Sequence, residues 1–272
     1  MIKQPKITPP IKYPGGKRFL VDNIRILWEL SKSTRLVEPF CGGMAISLGI
    51  APKKALVNDI NPHVVNFYHS IQQGLKIDIK MLNDKDFYYQ KREEFNQLIR
   101  QNEHLSPLAA SLFYYLNRTG FNGLVRFNKS GLLNVPFGRY KKINYQTEFL
   151  SVAKTVKKWT LSCGDYSLLK IRKTDFLYVD PPYDVEFRNY SGNNFEWQEQ
   201  ERLIKHLSRY QCPIVLSNQA TDRIIELYEA NGYKIFLIDA PRRISCNGDR
   251  KPAQEVLALK NMVIESHQSP FG

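Results

Sequence analysis

Phe176-Leu177-Tyr178-Val179-Asp180-Pro181-Pro182-Tyr183 decides how the chain folds and where its chemistry sits. Four apolar residues of strand-forming type read as a buried β-strand. The two prolines behind them cannot continue a central ladder, so the strand stops at Asp180. In an open α/β sheet, ligands collect beyond the carboxyl ends of the strands. Residues 180–183 therefore bring a carboxylate, a stiff turn with its carbonyls and an aromatic face to the place where a ligand is expected.

Outward from this strand, six further strand-like runs lie at 35–38, 55–58, 160–163, 213–217, 234–238 and 255–260. Helical spacing falls between several of them. Residues 17–30 put Leu20, Ile24 and Leu27 on one face. Residues 62–73 have Asn61 as a cap, Pro62 at the first helical position and Gly74 at the end. Residues 221–231 carry Ile224, Ile225, Leu227 and Tyr228 ahead of Gly232. Strands alternating with helices predict an α/β fold with a mostly parallel sheet.

Three more segments carry chemistry. In Leu36-Val37-Glu38-Pro39-Phe40-Cys41-Gly42-Gly43-Met44 a strand enters a glycine turn that opens a helix. Glycine lets backbone approach a ligand closely, and helix-start N–H groups point outward. In Val57-Asn58-Asp59-Ile60-Asn61 a second strand ends in an acid, placed for the ribose hydroxyls of a nucleoside cofactor. Lys12-Tyr13-Pro14-Gly15-Gly16-Lys17 is a basic, glycine-containing helix entrance.

The middle of the chain differs. Residues 84–148 offer no strand of the parallel type. Residues 106–117 predict a helix, with Ser106 as cap, Pro107 first, and Leu108, Leu112, Tyr115 and Leu116 on one face. Residues 117–147 then carry six basic side chains (Arg118, Arg126, Lys129, Arg139, Lys141, Lys142), no acid, and Phe121, Phe127 and Phe137. This reads as a nucleic-acid-binding insert. The expected organisation is a catalytic domain in two parts, 1–83 and 149–262, around a target-recognition insert at 84–148, with a possible loose tail at 263–272.

Composition narrows the functional class. The chain has 272 residues and a formal charge of +13, which favours a polyanionic partner. Its four cysteines (Cys41, Cys163, Cys212, Cys246) form no Cys-x-x-Cys, and its five histidines form neither His-Glu-x-x-His nor His-x-Glu. No metal site is expected from them. No apolar run reaches a membrane span and the first ten residues lack a signal-peptide core, so a cytoplasmic protein is expected.

Taken together, the motifs resemble the Dam-type, D12-class DNA adenine-N6 methyltransferases, from about residue 11 to residue 260. Their order fits: glycine turn, insert, then Asp-Pro-Pro-Tyr. Within the insert, Asn117-Arg118-Thr119-Gly120-Phe121-Asn122-Gly123-Leu124-Val125-Arg126-Phe127-Asn128 and Asn134-Val135-Pro136-Phe137-Gly138-Arg139-Tyr140 resemble the family's DNA-reading segment. Cys163-Gly164-Asp165-Tyr166 and Ser217-Asn218 resemble further motifs. The chain departs from the pattern at Met44, where the family often has a small residue, and at Tyr13, where it often has Trp.

The resemblance implies a Rossmann-like methyltransferase sheet with an inserted, mainly helical recognition domain, S-adenosylmethionine as cofactor and double-stranded DNA as substrate. It puts Asp180, Pro181, Pro182 and Tyr183 in catalysis. Tyr13, Lys17, Glu38, Phe40, Gly42, Asp59, Asp165, Tyr166 and Asp180 fall around the cofactor. Arg126 falls at a guanine, Phe121 beside a flipped base, and Leu124 and Pro136 against bases. Asn122 and Asn128 lie on the DNA, with Arg118, Lys129, Arg139, Lys141 and Lys142 on phosphates. The favoured target is GATC. Two alternatives stay open: methylation of another amino group (cytosine N4, RNA or protein), and a DNA-binding relative without catalysis.

Overall fold

The computed structural model describes residues 7–183, 195–240 and 253–262. Its centre is one seven-stranded sheet: β1 (Arg35–Glu38), β2 (Ala55–Asp59), β3 (Thr160–Cys163), β4 (Asp175–Val179), β5 (Ile214–Gln219), β6 (Lys234–Ala240) and β7 (Ala253–Lys260), in the order β3-β2-β1-β4-β5-β7-β6. The first five strands are parallel, and β7 runs antiparallel to both β5 and β6. All seven expected strands are present with ends within two residues of those read from the sequence. The order reverses between β1 and β4. The loops after Glu38 and Val179 thus open a crevice at the switch point, where such sheets bind ligands.

Eight helices flank the sheet among the described residues: α1 (Val21–Ser31), α2 (Ala45–Ile50), α3 (Pro62–Gln72), α4 (Lys85–Arg100), α5 (Pro107–Thr119), α6 (Leu150–Val156), α7 (Trp197–Leu207) and α8 (Asp222–Ala230). The expected caps are in place: Asn61 and Ser106 side chains accept the His63 and Ala109 N–H groups, each ahead of an N1 proline. The sequence reading did not draw α4, α6 or α7. In α4 the buried residues are only Tyr88, Phe95, Asn96 and Leu98, a narrow stripe in a very polar helix.

Side chains of a strand alternate between the two faces of a sheet, and two cores form accordingly. Leu36, Phe176, Tyr178, Val215, Leu257 and Leu259 join the cluster containing α1, α3 and α5. Val37, Leu177, Val179, Ile214, Leu216, Val256 and Ala258 join the cluster containing α7 and α8. The parity sets Tyr178, Ser217, Glu255 and, one step past the strand, Asp180 on the α1 side.

Residues 84–148 comprise α4, α5 and a turn-rich stretch pinned by isolated bridges Gly120–Phe137 and Phe127–Leu133. Their apolar residues continue the first core without a break. Met44 is 1% exposed inside that core and stands at the start of α2 with φ 54°, a left-handed conformation that costs a non-glycine residue energy. Residues 263–272, expected as a tail, and Cys246 lie outside the described residues.

Candidate active site

Asp180 leaves β4 into a buried polar cluster. Its Oδ1 accepts the Ser217 hydroxyl at 2.8 Å, and Ser217 Oγ lies 2.8 Å from Tyr178 Oη. Lys17, only 4% exposed, places Nζ 3.4 Å from Asp180 Oδ1 and 3.7 Å from Glu255 Oε1, and donates to the Gly15 carbonyl at 2.9 Å. The same ammonium lies 4.4 Å from the centre of the Tyr183 ring. Burial pushes the Asp180 carboxyl up to about 6, against the pull of Lys17 and Ser217, with Glu255 pushing the same way. On the outer side of the turn, the fully buried Gln200 of α7 donates to the Pro182 carbonyl at 2.9 Å.

The glycine turn after β1 is tied down from three sides. Asp59, at the end of β2, accepts the Gly42 N–H at 2.8 Å and the Asn61 N–H at 2.9 Å. The Tyr13 ring lies against the turn, so a Cβ on Gly42 would stand 2.8 Å from two of its ring carbons. Gly42 also sits at φ 44°, and the turn thus requires glycine for both space and conformation. Glu38 is buried below; its Oε2 accepts the Ser47 N–H at 3.2 Å and the Ser47 hydroxyl. Burial raises its carboxyl to about 8, with Asp180 and Asp59 adding to the rise. Asp59 is raised by burial as well.

Next along the crevice, the Phe40 and Tyr166 rings meet at 5.3 Å and the Phe40 and Phe195 rings at 5.7 Å. Asp165 caps the turn at Tyr166 and accepts from Arg202 Nη2 at 2.6 Å. Arg202 holds the Asp165 carboxyl down at about 2. Ile60 and Leu168, each close in sequence to one of these carboxylates, are left exposed.

The expected cofactor residues and residues 180–183 thus gather at the carboxyl ends of β1, β2, β3 and β4. The expected DNA residues lie on the insert, with Phe121 47% exposed at a turn whose Phe121 N–H meets the Pro136 carbonyl at 2.9 Å. Asn122, Asn128, Lys129, Pro136, Arg139, Lys141 and Lys142 are exposed, and Leu124 is half-buried. Arg126 is held by Asn134: Nε donates to Oδ1 at 2.9 Å and Nη2 to the carbonyl at 3.0 Å. Arg118, expected at a phosphate, is half-buried, and its guanidinium donates to the Pro10 and Asn144 carbonyls. The insert joins the crevice through buried Asn117, which accepts the Lys12 N–H and donates to the Lys12 and Gly123 carbonyls.

Sequence reasoning missed Glu255, Gln200 and Arg202. Glu255 left a signal, the one carboxylate of its strand, directly ahead of the apolar run Val256–Leu259. The two α7 residues left none, because that helix was not drawn. Among the described residues, no group of His, Cys, Asp and Glu is placed to hold a metal, and no helix is long and apolar enough to cross a membrane.

Residues 13–244 match the family model of the D12 class of N6 adenine-specific DNA methyltransferases. The chain is 31% identical over 267 residues to a DNA N-6-adenine-methyltransferase of Escherichia phage P1, covering 91% of this chain and 35% of that longer protein. It is 32% identical over 263 residues to the retron Ec67 DNA adenine methylase of Escherichia coli, covering 92% and 90%. Among solved structures, the magnesium protoporphyrin IX methyltransferase of Synechocystis PCC 6803 with bound SAM aligns at a TM-score of 0.37 and 13% identity, over 90% of this chain and 80% of that one. That last likeness is too slight to bear on the chemistry.

Proposed function

From the chain's membership of the D12 class of N6 adenine-specific DNA methyltransferases, we propose that it methylates adenine N6 within GATC, on a base flipped out of duplex DNA. The observation that carries this reading is the Asp180 carboxylate, buried at the switch point and fixed by Ser217 and Lys17. S-adenosylmethionine, the cofactor, supplies a methyl group on a cationic sulfonium. The site suits it: the Asp180 carboxylate, ionised above about pH 6, favours a cation, and Phe40, Tyr166 and Phe195 form an aromatic wall for its nucleoside.

The exocyclic nitrogen of adenine is a poor nucleophile because its lone pair is spread into the ring. Asp180 and the Pro181 carbonyl accept its two hydrogens, which localises the lone pair and aims it. The contribution is orientation and electrostatic preorganisation. N6 sheds one proton on methylation, and a carboxyl near 6 is matched to receive it. Tyr183 stacks on the base. Flipping costs a few kcal/mol, which Phe121 offsets by filling the gap left in the duplex. Arg126 reads a guanine edge, and Lys129, Arg139, Lys141 and Lys142 take phosphates.

Expression in a host that lacks adenine methylation, followed by genome-wide mapping of N6-methyladenine, tests the reading in one step. The expected result is methylation confined to the adenine of GATC. Methylation at another sequence removes the GATC assignment, and absence of N6-methyladenine removes the activity.

A further inference from the structure

Glu255 is a buried acid with no part in the chemistry above. It sits on β7 opposite Gln219 of β5 and Ile238 of β6, and is 8% exposed. Its Oε1 is 3.7 Å from Lys17 Nζ, nearly matching the 3.4 Å between that ammonium and Asp180 Oδ1, and the carboxyl also interacts with the buried Tyr183 hydroxyl. Lys17 is thus suspended between two carboxylates, with neither contact closed to the shortest range. A lone buried ammonium–carboxylate pair closes to about 2.7–2.9 Å.

We propose that Glu255 is a positioning residue that shares Lys17 with Asp180, keeping the catalytic carboxylate out of a tight ion pair and strong as a hydrogen acceptor. The proposal rests on the reading that Asp180 accepts the hydrogens of adenine N6. An acceptor neutralised by a close cation pulls less on N6, and its own protonation moves to lower pH. Among the described residues, the groups facing Asp180 are Lys17 ahead of α1, Glu38 at the end of β1, Tyr178 on its own strand, Tyr183 beyond the turn, Ser217 on β5, Tyr228 on α8 and Glu255 on β7. Among the described residues, only Glu255 shares Lys17 with Asp180 as a second carboxylate.

The test is single-turnover methylation from pH 5 to 9, at saturating cofactor and cognate duplex, for the wild type, Glu255→Gln, Glu255→Asp and Asp180→Asn. Glu255→Gln is expected to slow methylation about tenfold or more and to move the acid limb down by roughly one pH unit, in line with loss of one neighbouring charge. Dissociation constants for cofactor and DNA should stay within about twofold, since Glu255 acts on the acceptor and not on binding. Glu255→Asp keeps the charge but draws it back, and should fall between the two in rate and limb. A wild-type profile in Glu255→Gln overturns the proposal. So does an equal loss at every pH with a lowered melting temperature and no rescue by Asp, which marks a merely structural pair. If Asp180→Asn methylates at the wild-type rate, the reading of Asp180 fails whatever Glu255 does. If Asp180→Asn is inactive and Glu255→Gln is unaffected, only the role of Glu255 is lost.

Discussion

Asp180 performs its task through surroundings that a single residue cannot advertise. Its identity and its place after a strand were legible, because the two prolines announce where the strand ends. Its raised pKa was not, since burial in the folded cluster causes it and the groups that modulate it, Lys17, Ser217 and Glu255, come from distant parts of the chain. Asp180→Ala should abolish single-turnover methylation while DNA affinity in a filter or anisotropy assay changes little. The wild-type rate should fall as pH drops through about 6, where the carboxylate takes a proton. Asp59 allows a second expectation. It holds the glycine turn through two N–H groups, and a charge-assisted hydrogen bond contributes roughly 1.5–3 kcal/mol. Asp59→Ala should therefore weaken cofactor binding about tenfold or more by calorimetry and weaken DNA binding much less. An unchanged cofactor affinity counts against the ribose role.

Elements carry information that single residues do not. The strands were readable because each is a short apolar run with an evident stop. Helices α4 and α7 were not, because α4 is polar on most of its surface and α7 shows its apolar stripe mainly in its second half, at Leu203, Ile204 and Leu207. The turn-rich part of the insert shows the same limit: its basic residues look alike in sequence, yet Arg118 props backbone carbonyls, Arg126 is braced by Asn134, and Lys141 and Lys142 stand exposed. Bracing fixes the guanidinium plane and leaves other N–H groups of Arg126 to donate, as a bidentate guanine contact requires. Arg126→Ala should reduce the preference of kcat/KM for the cognate duplex over one altered at a single guanine, by about 1–3 kcal/mol. Asn134→Ala should reduce it less, by unlocking the fork. Lys141→Ala should weaken all duplexes alike and lower the salt slope by roughly one unit. Equal losses on every duplex for Arg126→Ala and Lys141→Ala leave Arg126 as a phosphate anchor.

At the scale of the whole molecule, several carboxyls are buried around the site and raised, Glu38 to about 8. An acid raised on folding binds more protons in the native state than in the unfolded one. Its stabilising contribution is full below the unfolded value near 4.5, shrinks as pH rises through the window up to about 8, and is lost beyond it. Glu38→Gln mimics the neutral acid and can still accept from Ser47. The wild type should lose melting temperature between pH 5.5 and 8, and Glu38→Gln should lose less. Identical slopes for the two proteins exclude Glu38 from that dependence.

The strand order has a consequence in time. β1 lies between β2 and β4, yet Arg35 and its partner Asp175 are 140 residues apart. A ribosome adding about 5–20 residues per second needs roughly 7–28 s to deliver the second neighbour. During that interval the growing chain holds β1 with one open edge, a template for pairing with other chains. The α4–α5 hairpin is made of local contacts and can form while β4 is still being made. Pausing within the insert or shortly after it should therefore raise the insoluble fraction of newly made protein more than pausing beyond β4, with no change in the finished fold.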